Sequence, residues 1–265
     1  MSIEMLLVGQ QWNIPLLCAL ILIVIGYILL FIKKRLTINT KSQPILLIFS
    51  LCLFYLTIGS PLSAISHFNF SFHMIQMSIV YFIIPPLFIR SSPKLHVRTR
   101  NSFLGIQIRL NMKLLTISAL LLFAILFFLY HLPVVMQFIF KYPMIRIPYL
   151  VALFILAFFM WWPLASTKAK IYFDQKQKRK FVLLSAMILM PACMIFIISA
   201  LFNGMHHPFL NHVITQLCIP PTVEQTSVVP FSFDTRIDQG IAGFSMLGIH
   251  KIGLKLSTHL NKHCS

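Results

Sequence analysis

Seven mostly apolar stretches run along the chain, at about 14–32, 45–61, 70–89, 114–134, 147–165, 181–202 and 237–255. Each approaches the roughly 20 residues that an α-helix needs to cross the hydrocarbon core of a bilayer. The polar segments between them are short, except 203–236. The pattern predicts an all-α integral membrane protein, a seven-transmembrane helix bundle forming one polytopic domain over residues 1–265. No internal repeat or low-complexity stretch interrupts it. The seventh stretch is the least apolar and carries Asp238, Gln239, Ser245 and His250. Such groups are costly against lipid, so this helix is expected inside the bundle. Its small residues Gly240, Ala242, Gly243 and Gly248 would admit close neighbours. Prolines mark expected ends and bends: Pro61, Pro85-Pro86, Pro133 and Pro191. A proline inside a span frees a carbonyl that a neighbouring group must satisfy.

Charge orients the bundle. All but three of the 22 Lys and Arg residues fall in 33–41, 90–113, 168–180 and the tail from Lys251, on alternate sides of the spans. Short loops rich in Lys and Arg stay in the cytoplasm. The N-terminus and the loops 62–69, 135–146 and 203–236 are therefore expected outside, and the C-terminus inside, in a multi-pass protein of the cell membrane. The net charge of +17 is then a topology signal. No single soluble face gathers it, which excludes a nucleic-acid partner and leaves membrane lipid. With 58% apolar and 10% charged residues, the chain lies far from the roughly one quarter charged of soluble domains. Lys33, Lys34 and Arg35 follow the first apolar run rather than precede it, the order of an uncleaved span.

Candidate chemistry gathers on the outer side, where six of ten histidines map: His67, His73, His131, His206, His207 and His212. His73 and Met77 are four residues apart at the start of the third span and share one helix face. His131 lies about one turn before the outer end of the fourth span. Asp238 opens the seventh span, with Met246 two turns deeper. Imidazole with thioether is the donor set that favours Cu(I). The competing reading is that these methionines fill gaps in an apolar core. Cys18 and Cys218 map outward and either pair, bind a soft metal or do neither. Cys52 and Cys193 are expected to be inert packing residues. No nucleophile elbow, phosphate-binding loop or zinc-protease motif appears, so no enzymatic activity is expected.

An ordered set of short pieces extends this reading: Ser60-Pro61-Leu62, His73-Met74-Ile75-Gln76-Met77, Pro85-Pro86-Leu87, Tyr130-His131-Leu132-Pro133, Trp161-Trp162-Pro163, Pro191-Ala192-Cys193, Cys218-Ile219-Pro220 and Asp238-Gln239-Gly240-Ile241-Ala242-Gly243 with Met246. From about residue 45 to 250 the chain resembles the CtaG assembly factors of Gram-positive bacteria. The resemblance implies a seven-span protein that assists assembly of a haem–copper cytochrome c oxidase, with oxidase subunits as partners. The family often shows His-Met-x-x-His where this chain ends in Met77, and a histidine near the start of the fifth span that is absent at 144–152. A site here would hold fewer nitrogen ligands, which shifts it toward Cu(I). The expected ligands are His73, Met77 and His131, with Asp238 or Met246 completing or orienting the site. A copper permease is the first alternative, with His250 as the inner-half donor in line with Met246. A metal-free chaperone of oxidase subunits is the second.

Overall fold

The structure is a computed structural model that describes residues 12–32, 42–61, 63, 66, 69–92, 102–166, 173–202 and 235–262. His67, His206, His207, His212, Cys218 and most of the basic segments lie outside the described residues, as does any pairing of Cys18 with Cys218. The described chain is helical, with no strand. We label the helices α1 (Ile14–Ile32), α2 (Ser42–Phe54), α3 (Phe70–Ser91), α4 (Ser102–Tyr130), α5 (Pro133–Lys141), α6 (Pro143–Ala165), α7 (Gln175–Leu201) and α8 (Thr235–Lys262). Each expected apolar run overlaps one of these helices, although 45–61 runs past the end of α2 and 114–134 crosses the turn at His131-Leu132 into α5. Four, α3, α6, α7 and the segment Met112–Tyr130 of α4, are long and apolar enough to cross a membrane; Ile14–Leu29 and Gln43–Gly59 are shorter apolar helices.

The outer loop expected at 135–146 contains α5. Pro133 supplies its preset φ at the first turn, where a missing N–H costs nothing. The helix buries Met136, Ile139 and Phe140 and exposes Val134 and Phe138. The preceding helix stops at Tyr130, and His131-Leu132 form the turn between the two.

The core lies among α3, α4, α6, α7 and α8. Along α4, Thr116, Leu120, Phe123, Phe127 and Tyr130 are buried, at helical spacing. Leu114, Leu121, Leu122, Ile125 and Leu129 on the other face are exposed. Similar apolar exposure on α1, α6 and α7 makes a surface suited to lipid rather than water. Leu20 of α1 packs in a separate small cluster with Leu47 and Leu51 of α2.

The seventh expected span is interior, as its polar residues require. α8 packs along α7, α3 and α6. It buries Gln239, Ala242, Met246, His250, Leu254 and Ser257 on one stripe. Gly243 is where α7 comes closest: a Cβ there would lie 2.7 Å from Ile197 Cγ1 and 2.9 Å from the Cys193 carbonyl. Gly253 meets the Phe82 carbonyl and the Trp161 ring in the same way. Gly248, expected to be a close-packing position, is exposed, and a Cβ there would meet nothing within 4 Å.

The two prolines of α3 do not end it. The helix widens into a π turn at Ile79–Ile83 and continues through Pro85 and Pro86. The Tyr81 carbonyl loses an N–H donor in either register, to Pro85 four residues on or Pro86 five residues on. Trp161 of α6 replaces it, its indole N–H donating to the Tyr81 carbonyl at 2.8 Å. A second π turn, Tyr55–Gly59, ends α2 before Pro61. Gln76 of α3 donates its side-chain amide to the Thr57 carbonyl in that turn. Arg90 and Lys178, from the basic segments expected to face the cytoplasm, are buried near the ends of their helices.

Candidate functional site

Asp238 sits in the first turn of α8 and acts on the start of α3. Its Oδ2 accepts from the Phe70 N–H at 3.2 Å and its Oδ1 from the Ser71 N–H at 3.0 Å. Both N–H groups belong to the opening turn of α3, where donors have no partner within their own helix and the helix dipole favours an anion. Asn69 shares the task as N-cap, its Oδ1 accepting from the Ser71 N–H at 3.0 Å and the Ser71 hydroxyl at 2.7 Å. The carboxylate thus fixes α3 against α8 at the level of His73.

His73 is buried one turn into α3. Its Nε2 and the Tyr130 hydroxyl share a 3.0 Å hydrogen bond. Its ring also lies 6.0 Å from that of Phe140 on α5. The end of α4, α3 and α5 therefore meet at this imidazole.

His131 is fully buried, at 0% exposure. Its ring packs 4.3 Å from Phe127, 5.3 Å from Phe196 and 5.6 Å from Tyr130. Nδ1 faces the Phe127 carbonyl. A carbonyl only accepts, so Nδ1 carries the hydrogen and Nε2 holds the lone pair. That Nε2 is buried with no hydrogen-bond partner among the described residues. Histidines that bind metals usually anchor one nitrogen on a carbonyl or carboxylate in this way and offer the other.

The thioethers lie in the same core. Met74, Met77 and Met246 are all buried in the cluster that contains Tyr130 and Phe196. Ser199 of α7 donates its hydroxyl to Gln239 Oε1 at 2.6 Å, tying the residue after Asp238 to α7.

Three of the five sequence-derived residues, His73, His131 and Asp238, are linked through Tyr130, Phe196 and Phe70, while Met77 and Met246 share the buried core around them. His73 and His131 both contact Tyr130. His131 and Phe70 both contact Phe196, and Asp238 holds the Phe70 backbone. They do not converge as a nitrogen and oxygen cage: among the described residues, no group of three or more His, Cys, Asp or Glu is placed to hold a metal. One open imidazole in a core that also buries thioethers is a donor set suited to a soft, low-coordinate ion rather than to Zn(II).

Reading histidines and methionines as donors passed over Tyr130, Phe196 and Asn69. Tyr130 directly precedes His131 and Asn69 lies four residues before His73, so adjacency was the available signal for these two. Nothing in the sequence marks Phe196, which reaches the site through the packing of α7.

The family of cytochrome c oxidase caa3 assembly factors (Caa3_CtaG) has a model that matches residues 25–256. No curated protein and no solved structure matches the chain. The matched segment runs from within α1 to within α8 and takes in Asp238, His73, Tyr130 and His131. The chain belongs to the family of cytochrome c oxidase caa3 assembly factors.

Proposed function

We propose that this protein is a seven-span cell-membrane factor that holds Cu(I) in the outer leaflet for transfer to haem–copper oxidase subunits. His131 Nε2 is the principal ligand. Met77 and Met246 supply thioethers, His73 joins when its bond to Tyr130 opens, and Asp238 orients α3. The observation that carries the reading is the buried Nε2 of His131, which has no hydrogen-bond partner among the described residues, with Nδ1 anchored on the Phe127 carbonyl. A buried polar atom in that condition costs about 1–3 kcal/mol unless a ligand meets it. When bound, Cu(I) accepts the imidazole lone pair. The chain's own work is to fix the tautomer, exclude water with Phe127, Phe196 and Tyr130, and release the ion from an incomplete shell. A non-catalytic role agrees with the family. The seven spans and their orientation rest on the apolar runs and the alternating basic segments.

The metal-free chaperone is favoured by a different observation: both Asp238 oxygens accept from the α3 backbone, and His73 Nε2 is engaged by Tyr130. One experiment separates the two. Wild type, His131→Ala, Met77→Leu and Met77→His are purified and scored for retained copper, beside oxidase activity of the cells. Cu(I) holding predicts that His131→Ala loses copper and oxidase activity while the protein still accumulates. It predicts that Met77→Leu weakens both and Met77→His retains part of each. A packing role predicts a nearly silent Met77→Leu, since volume-conserving swaps cost under about 1.5 kcal/mol. Wild-type protein that retains no copper refutes the holding role.

A further inference from the structure

His250 has no part in the outer network. It lies one turn beyond Met246 on the buried stripe of α8, about 6 Å further along the axis, and some 18 Å beyond Asp238 by the helical rise. Its exposure is 5%, and its ring lies 4.9 Å from Phe82 and 6.2 Å from Trp161. Its Nε2 is buried with no hydrogen-bond partner among the described residues.

The imidazole lines a crevice with Met160, Trp161, Leu164, Phe181, Ser185 and Leu254. Its interstices are too narrow to admit a water molecule. The usual remedy for an orphaned buried nitrogen is thus closed off. The other polar groups of the crevice are committed elsewhere. The Trp161 indole N–H donates to the Tyr81 carbonyl at 2.8 Å, and the Ser185 hydroxyl donates to the Val182 carbonyl at 2.9 Å. Two donor types remain, the His250 nitrogen and the Met160 thioether. A dehydrated Cu(I) ion is smaller than water, accepts two-coordinate geometry and prefers this pair of ligands over oxygen.

We propose that His250 and Met160 form a second Cu(I) site in the inner half of the bundle, separate from the outer one. Fully buried Met246, a thioether of the proposed outer site, lies one turn before His250 on α8, so one helix stripe presents soft donors at successive depths. The proposal does not require the outer site.

The test uses full-length protein in detergent micelles, titrated anaerobically with Cu(I) against a chromogenic Cu(I) chelator. Wild type should retain two equivalents, and His250→Ala and Met160→Leu one each. His131→Ala should keep the inner equivalent. X-ray absorption at the copper edge of His131→Ala should show both sulfur and imidazole nitrogen. Retention by His250→Ala equal to wild type overturns the inner site. So does one wild-type equivalent that disappears in His131→Ala; the outer reading then survives. One equivalent lost in His250→Ala but kept in His131→Ala upholds the inner site and refutes the outer. Should His250→Ala fail to elute as a single species, Met160→Leu decides: unchanged copper retention there overturns the proposal.

Discussion

His73 and Tyr130 share a 3.0 Å hydrogen bond that joins α3 to the last residue of α4, beside the turn that carries His131. The bond makes His73 a structural tie as well as a candidate ligand. Tyr130→Phe removes the hydroxyl and leaves the buried His73 nitrogen without it. The expected cost is about 1–3 kcal/mol, read as a lower thermal midpoint in detergent. Copper retention through His131 should persist, because that ring keeps its bond to the Phe127 carbonyl. Unchanged stability in Tyr130→Phe would show that the bond contributes nothing.

Asp238 offers two acceptors to two backbone donors of α3. Asp238→Asn keeps one carbonyl oxygen and should lose little stability. Asp238→Ala removes both acceptors and should cost about 0.5–2 kcal/mol, the usual range for a lost helix cap. Thermal unfolding of both variants checks the order. A direct ligand role predicts instead that Asp238→Asn already loses most of the copper.

Trp161 answers the loss of helix donors at Pro85 and Pro86. Trp161→Phe should destabilise the protein by about 1–3 kcal/mol through the orphaned Tyr81 carbonyl. In a background of Pro85→Ala and Pro86→Ala the same change should cost less, since backbone N–H groups return. Unfolding midpoints of the four proteins close the cycle, and additive effects would reject the link.

Three of the four glycines of α8 give a graded series. Gly253→Ala would press on the Phe82 carbonyl, and Gly243→Ala on Ile197 and the Cys193 carbonyl. Both should reduce accumulation in the membrane. Gly248→Ala meets nothing within 4 Å and should be neutral or stabilising, by up to about 1 kcal/mol from helix propensity. Blotting of membrane fractions ranks them.

Topology has its own measurement. A reporter fused after Ser265 that works only in the cytoplasm should be active, and an export-dependent reporter at that position should be silent. The reverse result would overturn the seven-span arrangement.

The sequence by itself determined the class of protein and the location of its long apolar helices, but not α5, which occupies an expected loop. Apolar runs of membrane length and segregated basic residues are local properties, dictated by the cost of exposing backbone and charge to lipid. It also placed α8 in the interior, because Gln239 and His250 cannot face lipid cheaply. It nominated His73 and His131 by residue type alone. Only the tertiary structure decided what each does. Asp238 was legible as a polar residue near a helix start, but the helix it caps begins 168 residues earlier in the chain. The open nitrogen of His131 depends on the Phe127 carbonyl and on the aromatic rings of α4 and α7 around it. The glycines that matter were decided by which backbone they face, so Gly253 is close-packed and Gly248 is not. Hydrogen bonds and close contacts are pairwise and directional, and a list of residues holds only one side of each pair.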